Sequence, residues 1–200
     1  MADARESFDY EREEDSKYSA LYKEGYGAGP VARLLKWARS SGVELAGSKT
    51  IDCGCGRATL LTDHGIAFSR YVGVDISAYQ IEKLKGAVAR PEVRFVHGSL
   101  DDLPFEGGAF DFSWCCDVME HIPPFRVGPM LREIIRVSDR SLFSISTRPS
   151  VILDAEGRNL HLTVKPRRWW MSRIDEYGDV VRSKNLWLKK ACYFLVRRRS

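Results

Sequence analysis

A glycine-rich turn between two short segments constrains the fold of this chain more than any other feature. Residues 50–53, a short segment that includes Asp52, lead into a turn that contains Gly54 and Gly56, and a second short segment, residues 71–74, ends directly before Asp75. Glycine has no Cβ, so its backbone can turn tightly and approach a ligand closely. A turn of this kind, with an acid at the end of the next strand, is typical of a parallel sheet that binds a nucleoside-containing cofactor at its carboxyl edge.

Strand-like and helix-like segments alternate along most of the chain. Short apolar runs predict strands at residues 50–53, 71–74, 93–96, 110–116, 141–145, 180–182 and 191–196. Helical spacing and capping residues predict helices at residues 18–41, with a break at 25–30, and at 58–63, 78–88, 127–137 and 166–177. This alternation predicts an α/β fold with a doubly wound, mostly parallel sheet. The link between the last two strands is too short for a crossover helix, so one strand near the carboxyl end is expected to run antiparallel.

The length and composition are those of a single domain. The 200 residues are 44% hydrophobic, which is enough for one sizeable core. We expect one domain, in which a helical segment at residues 1–47 precedes a cofactor-binding core at residues 48–200. In the first segment, tyrosines recur every four residues at Tyr18, Tyr22 and Tyr26. They form either a lid over the site or a buried stripe that packs on the sheet.

The composition also favours a soluble protein of a reducing compartment. No stretch approaches about 18 consecutive apolar residues, and the first residues lack the apolar core of a signal peptide, so we expect a cytoplasmic protein without a transmembrane segment. The five cysteines are odd in number and lack zinc-finger spacing, which favours free thiols and predicts no metal site. The net charge is +4, and residues 158–200 hold twelve bases and three acids. That basic end is either a solvated surface or a contact for an anionic partner.

The charge before the glycine turn separates two kinds of cofactor. Asp52 would repel the pyrophosphate of a dinucleotide, whereas it would attract an ammonium or a sulfonium group. The dinucleotide pattern also requires glycine or alanine where Thr59 stands. S-adenosylmethionine carries both positive groups, and Asp75 is positioned to accept hydrogen bonds from its ribose hydroxyls. The residues therefore favour S-adenosylmethionine, while a tight turn without a ligand stays open as an alternative.

Five motifs between residues 49 and 147 resemble those of the class I S-adenosylmethionine-dependent methyltransferases, particularly the branch of ubiquinone and menaquinone biosynthesis. The motifs lie at residues 51–56, 73–77, 103–111, 118–122 and 131–137. The resemblance implies a Rossmann-like sheet of seven strands. It assigns cofactor contacts to Asp52, Gly54, Cys55, Gly56, Asp75, Ile76, Ser99, Leu100, Cys115 and Cys116. The family commonly has glycine at the position of Ala58 and aspartate at that of Ser99, so the contact with the adenine amino group is expected to be weaker or to come from another residue, for instance Asp101.

The resemblance further implies methyl transfer to oxygen or nitrogen of a small-molecule substrate by in-line displacement. A sulfonium is already an excellent leaving group, so the reaction mainly needs a nucleophile about 3 Å from the methyl carbon. A base is needed only where the acceptor loses a proton, and His121 and His161 are the candidates for that catalytic role. His161 lies in residues 147–165, the loop expected to shape the substrate pocket.

Two other functions stay open. An RNA methyltransferase could use the basic carboxyl end, although the chain has no Asn-Pro-Pro-Tyr or Asp-Pro-Pro-Tyr sequence after the fourth strand. A non-catalytic module could retain the cofactor fold in order to sense or to scaffold. The residues identify neither the acceptor nor the oligomeric state.

Overall fold

The computed structural model describes residues 4–27 and 29–199. Residues 1–3, 28 and 200, which the predicted domain includes, lie outside the described residues. The helices within the described part are α1 (Ala4–Lys23), α2 (Val31–Ser40), α3 (Thr59–Thr62), α4 (Ala78–Ala87), α5 (Val127–Arg136) and α6 (Arg167–Asp175). The strands are β1 (Lys49–Cys53), β2 (Arg70–Asp75), β3 (Val93–His97), β4 (Phe110–Cys116), β5 (Ser138–Ser146), β6 (Gly178–Leu186) and β7 (Ala191–Arg198). Short 3₁₀ turns, Met119–His121 and Trp187–Lys189, follow β4 and β6.

The seven strands form one sheet in the order β3-β2-β1-β4-β5-β7-β6. β1 pairs in parallel with β2 and with β4, and β5 extends the parallel part beside β4. β7 pairs antiparallel with both β5 and β6, so among these seven strands it alone runs against the others. The predicted Rossmann-like, doubly wound sheet with one antiparallel strand is confirmed. The strand order reverses between β1 and β4, which is the switch point where ligands bind in such sheets.

Helices cover both faces because the central strands are apolar on both sides. On one face, α5 and α6 form a cluster that includes Trp170, and on the other face α2, α3 and α4 form a cluster that includes Leu34 and Ile81. Neighbouring residues of one strand, such as Leu142 and Phe143, belong to opposite clusters, since successive side chains of a strand point to opposite faces. Within residues 4–27 and 29–199, none of the helices combines the length and apolar character that a membrane crossing needs.

Two elements extend furthest beyond their predicted bounds. The break predicted at residues 25–30 separates α1 from α2, but α1 begins already at Ala4 rather than at residue 18, because the charged sequence masks the helical period. β6 spans Gly178–Leu186 rather than residues 180–182. As an edge strand it is mostly partly or fully exposed, so it lacks the apolar run by which a buried strand is recognised.

Candidate functional site

The glycine turn lies at the carboxyl end of β1, at the switch point of the sheet. Gly54 and Gly56 have φ values of +72° and +51°, a region that favours glycine. A Cβ at Gly54 would lie 2.5 Å from Cγ2 of Val118, and one at Gly56 would lie 3.0 Å from the hydroxyl oxygen of Tyr22. The turn therefore has no room for a larger residue at Gly54.

Asp75 ends β2 beside this turn, and its buried carboxylate is held by backbone donors. Oδ1 accepts a hydrogen bond from the Ser77 amide at 2.9 Å, and Oδ2 accepts one from the Gly56 amide at 2.8 Å. Burial raises the pKa of this carboxyl, while those two hydrogen bonds oppose the rise. The hydroxyl of Tyr22 lies 3.5 Å from Oδ2. Because that contact is long, the carboxylate retains capacity to accept hydrogen bonds from ligand hydroxyls.

A cavity of about 100 Å³ adjoins Asp75. Ile76, Ser99 and Leu100 line it, as the resemblance implied. Ser99 donates a hydrogen bond to Asp101 at 2.5 Å, and Asp101 forms an ion pair with Arg126. Asp101, the proposed substitute for an adenine contact, is thus already engaged, and it is not among the residues that line the cavity.

A second cavity, of about 320 Å³, lies on the other side of the glycine turn. Asp52, Cys55, Gly56 and Cys116 line it. The hydroxyl of Tyr71 donates to Oδ2 of Asp52 at 2.5 Å. Burial raises the pKa of Asp52 to about 7, although that hydrogen bond opposes the rise.

The structure does not bring Cys115 to either cavity, contrary to its predicted role. Cys115 is fully buried in the apolar cluster beneath α5 and α6. Adjacent residues of a strand face opposite sides of the sheet, so Cys116 can line the second cavity only if Cys115 points into the core. Each of the five cysteines is a free thiol.

The two cavities meet at Tyr22, Tyr26, Gly54, Asp117 and His121, which line both. Asp117, which the sequence reasoning missed, follows β4 directly and has a φ of +56°. Burial raises its pKa to about 6, against a hydrogen bond from Ser144. An acid immediately after a strand drew attention to Asp75, and the same signal could have identified Asp117.

Helix α1 lies across the mouth of the smaller cavity. Asp15 accepts a hydrogen bond from the amide of Ala78 at 2.8 Å, and the hydroxyls of Ser19 and Ser77 are 2.8 Å apart. Tyr18, Tyr22 and Tyr26 line this cavity, so these tyrosines face the site. This favours the lid over the buried stripe.

The structure brings the two predicted histidines together, with ring centroids 4.7 Å apart. The Nδ1–H of His121 donates to the carbonyl of Leu160 at 3.1 Å, and that of His161 donates to the carbonyl of Arg148 at 2.6 Å. Burial, with a smaller contribution from His161, lowers the pKa of His121 to about 3. Burial also lowers the pKa of His161. An imidazole with so low a pKa as that of His121 is a weak proton acceptor near neutral pH.

Comparison with known sequences finds a family model that matches the central part of the chain. Residues 51–140 match a family model described as a methyltransferase domain. A ubiquinone biosynthesis O-methyltransferase from Aromatoleum aromaticum is 28% identical over 119 residues, which are 57% of this chain and 50% of that enzyme. Curated relatives that match share between 18% and 58% of their own length with this chain. The chain thus spans about half the length of such relatives, or less.

Solved structures share the fold over nearly the whole chain. A 1,6-didemethyltoxoflavin-N1-methyltransferase from Burkholderia thailandensis, with S-adenosylhomocysteine bound, has a TM-score of 0.67 and 15% identity, and covers 100% of this chain and 92% of its own. A magnesium protoporphyrin IX methyltransferase from Synechocystis PCC 6803, also with S-adenosylhomocysteine, has a TM-score of 0.66 and 17% identity, over 92% and 95% of the two chains.

The fold, the glycine turn and the match of residues 51–140 to a methyltransferase domain agree with the resemblance to the class I S-adenosylmethionine-dependent methyltransferases. S-adenosylmethionine is the cofactor that this resemblance implies, in agreement with the charge of Asp52 and the position of Asp75.

The residues present fit this cofactor. The carboxylate of Asp75 is fixed by two backbone amides and suits two ribose hydroxyls, whereas a side chain at Gly54 would collide with Val118. The smaller cavity, about 100 Å³, falls short of the roughly 300 Å³ of an ordinary ligand pocket. The cofactor therefore cannot lie within the smaller cavity alone, and Asp52, which is assigned to its methionine end, lines the second cavity.

Proposed function

We propose that this protein is an enzyme that transfers a methyl group from S-adenosylmethionine to an oxygen or nitrogen atom of a small-molecule acceptor. The observation that carries this proposal is the meeting of two cavities at Gly54, Asp117 and His121. A transfer between two molecules needs two adjoining chambers, so that the reacting atoms approach in line. The curated relatives that are ubiquinone biosynthesis O-methyltransferases favour oxygen, whereas the Burkholderia neighbour, an N1-methyltransferase, keeps nitrogen in the proposal.

The residues of the smaller cavity would bind and orient the cofactor. Asp75 would accept hydrogen bonds from the ribose, while Ile76, Ser99 and Leu100 would border the adenine. Asp52, beyond the turn, would face the positive methionine end. When bound, S-adenosylmethionine supplies a methyl group on a sulfonium, so no residue has to activate the leaving group.

The larger cavity would hold the acceptor. Its lining mixes polar groups, such as Ser146 and Arg148, with the apolar side chains of Trp114, Val151 and Ile152. Such a lining suits a compact molecule that has both an apolar body and a hydroxyl group. We propose that α1 is a lid, and its closure would exclude water from both chambers.

Asp117 suits the role of proton acceptor better than either histidine. It lines both cavities, and its pKa of about 6 leaves it largely ionised at neutral pH. His121, in contrast, is nearly enclosed, and its pKa of about 3 makes it a weak base. We therefore assign to Asp117 the deprotonation of an acceptor hydroxyl, where the acceptor carries one.

The last three bases of the basic carboxyl end lie away from both cavities. Arg197 pairs with Arg140 near the start of β5, whereas both cavities lie at the carboxyl ends of the parallel strands. Arg198 and Arg199 also form ion pairs with Asp139 and Asp179. These bases are thus at the opposite end of the sheet from the glycine turn and are partly neutralised.

The test is product formation by the whole chain. Incubation with S-adenosylmethionine and a panel of phenols, carboxylic acids and amines should yield S-adenosylhomocysteine with at least one acceptor class. Asp75→Ala should weaken cofactor binding, measured by calorimetry, by roughly 30-fold or more, because hydrogen bonds to a charged group are lost. The exposed Asp63→Ala is the matched control and should bind as the native chain does.

Each alternative gives a different result. Tight cofactor binding without product from any acceptor would support a non-catalytic module. RNA methylation, with binding that falls steeply as salt rises, would support the nucleic-acid reading. Unchanged cofactor affinity in Asp75→Ala would contradict the assigned site.

A further inference from the structure

Three side chains with metal-binding atoms converge beside the larger cavity. They belong to Glu120, His121 and His161, and one ligand atom of each lies within 4.8 Å of the others. Glu120 and His121 stand on the 3₁₀ turn after β4, whereas His161 belongs to the loop between β5 and α6. Residues 40 positions apart are thus brought together by the fold rather than by a local motif.

Both histidines are oriented as metal ligands commonly are. Each donates its Nδ1–H to a main-chain carbonyl, that of Leu160 for His121 and that of Arg148 for His161. This fixes the tautomer and leaves Nε2 of each ring with a free lone pair. A second hydrogen bond of this kind accompanies nearly every metal-bound histidine, because it holds the ring in place.

Glu120 contributes a buried carboxylate that is only half satisfied. Its Oε1 accepts a hydrogen bond from the amide of Ser146 at 2.7 Å. Its Oε2 is buried and has no hydrogen-bond partner among the residues that the structure describes. The residue is fully buried, so this unmatched oxygen carries a desolvation cost that a bound cation would offset.

Hydrogen bonds fix both segments independently of any ion. The amide of Thr163 donates to the carbonyl of Glu120 at 2.9 Å, and its hydroxyl donates to the carbonyl of Ile122 at 2.6 Å. Oδ1 of Asn159 accepts from the amide of His161 at 3.0 Å. The three side chains are therefore held in place by the fold itself.

We propose that Glu120, His121 and His161 bind one divalent transition-metal ion. Two imidazoles and one carboxylate suit Zn²⁺, Fe²⁺ or Co²⁺, whereas Mg²⁺ prefers oxygen ligands. Three protein ligands leave coordination positions open, and both histidines line the larger cavity. If the proposed function holds, an acceptor hydroxyl occupies an open position, where the ion lowers its pKa and orients its oxygen.

The experiment measures metal binding without cofactor or acceptor, so its outcome is independent of methyl transfer. Co²⁺ is titrated into the tag-free whole chain after treatment with a chelator, and binding is followed by calorimetry and by visible absorption. We expect one Co²⁺ per chain, displaced by Zn²⁺ and not by Mg²⁺. His161→Ala and Glu120→Gln should each weaken binding by about 100-fold or more, since each removes a ligand.

His64→Ala is the matched control. His64 lies beside α2, away from the three proposed ligands, so this variant should bind Co²⁺ as the native chain does. Thermal unfolding of each variant verifies its fold, and either ligand variant alone suffices for the comparison. Absence of stoichiometric Co²⁺ binding to the native chain would overturn the proposal. Binding that persists in a folded ligand variant would overturn it as well, since the ion would then be elsewhere.

Discussion

Two buried aspartates at the ends of neighbouring strands have different hydrogen-bond donors. Asp75 accepts hydrogen bonds from the backbone amides of Gly56 and Ser77, whereas Asp52 accepts one from the hydroxyl of Tyr71. Donors stabilise the ionised form of a carboxylate, and burial destabilises it. With one donor, Asp52 has a pKa raised to about 7. Its negative charge at neutral pH is thus poised to respond to a positive ligand.

This pKa predicts how stability depends on pH. Between the ordinary value of 3.8 and about 7, the unfolded chain has released the Asp52 proton while the folded chain retains it. The free energy of unfolding should therefore fall as the pH rises across that window, by up to about 4 kcal/mol, and level off above it. Urea unfolding of the native chain and of Asp52→Asn, from pH 4 to pH 8, isolates this contribution as the difference between the two.

Asn keeps the shape of the side chain and still accepts from Tyr71, so the comparison changes the titration and little else. The stability of Asp52→Asn relative to the native chain should rise across the same window. If the two profiles run parallel, Asp52 does not retain its proton and is already ionised in the folded chain.

At the scale of single elements, we propose that α1 controls access to the site. Three hydrogen bonds link it to the junction of β2 and α4. Asp15 accepts from the amide of Ala78, and the hydroxyls of Ser19 and Ser77 bond to each other. The hydroxyl of Tyr22 makes a long contact with Asp75. All three contacts lie within one stretch of the helix, so they would be lost together if α1 moved away. The contact of Tyr22 uses the carboxylate that we assign to the ribose, so cofactor entry and closure of α1 are coupled.

Loss of the hydrogen bond between Asp15 and the amide of Ala78 should speed cofactor release. Asp15→Ala removes the acceptor for the first turn of α4, a loss worth about 1 kcal/mol, so the dissociation rate of S-adenosylmethionine should rise roughly fivefold. Stopped-flow fluorescence of the tryptophans provides the measurement. Glu13→Ala, an exposed acid on the same helix, should leave the rate unchanged; equal rates for both variants and the native chain would exclude a role of α1 as a lid.

At the scale of the whole molecule, β7 is an internal strand of the sheet and part of its core. β7 lies between β5 and β6, and its side chains alternate between the two apolar clusters, with Phe194 in one and Tyr193 in the other. Residues near the carboxyl terminus thus pack against both helical layers. The glycine turn depends on this sheet for its rigidity, although β7 contributes no residue that lines either cavity.

The burial of β7 predicts a large loss of stability on truncation of one of its side chains. Phe194 is fully buried, so Phe194→Ala should lower the free energy of unfolding by about 3 to 5 kcal/mol, through lost burial and a cavity. Trp187→Ala removes a larger aromatic ring that is 69% exposed, and should change stability by about 0.5 kcal/mol or less. Urea unfolding measures both. A similar small effect for the two variants would mean that β7 is not integral to the core.

Local signals in the sequence were sufficient to predict the sheet and a set of candidate cofactor contacts, all of which except Cys115 line at least one of the two cavities. The cofactor site is indicated by local features: the glycines of a tight turn, the acid before that turn and Asp75 at the end of a strand. Apolar runs indicate which strands are buried. The edge strand β6 and the charged start of α1 lacked that apolar signal, so their lengths were missed. Cys115 was misplaced because the sequence does not reveal which of two neighbouring strand residues faces the core.

The tertiary structure alone decided what lies around the second cavity. Glu120 and His161 are 41 positions apart, Tyr22 and Asp75 are 53 apart, and no periodicity connects them. The raised pKa values of Asp52 and Asp117 and the lowered pKa of His121 come mainly from burial, and burial is a property of the packed molecule. The sequence by itself therefore determined the fold class and indicated the cofactor, because these follow from short-range geometry and charge, whereas the proposed proton acceptor and the proposed metal ligands follow from long-range contacts.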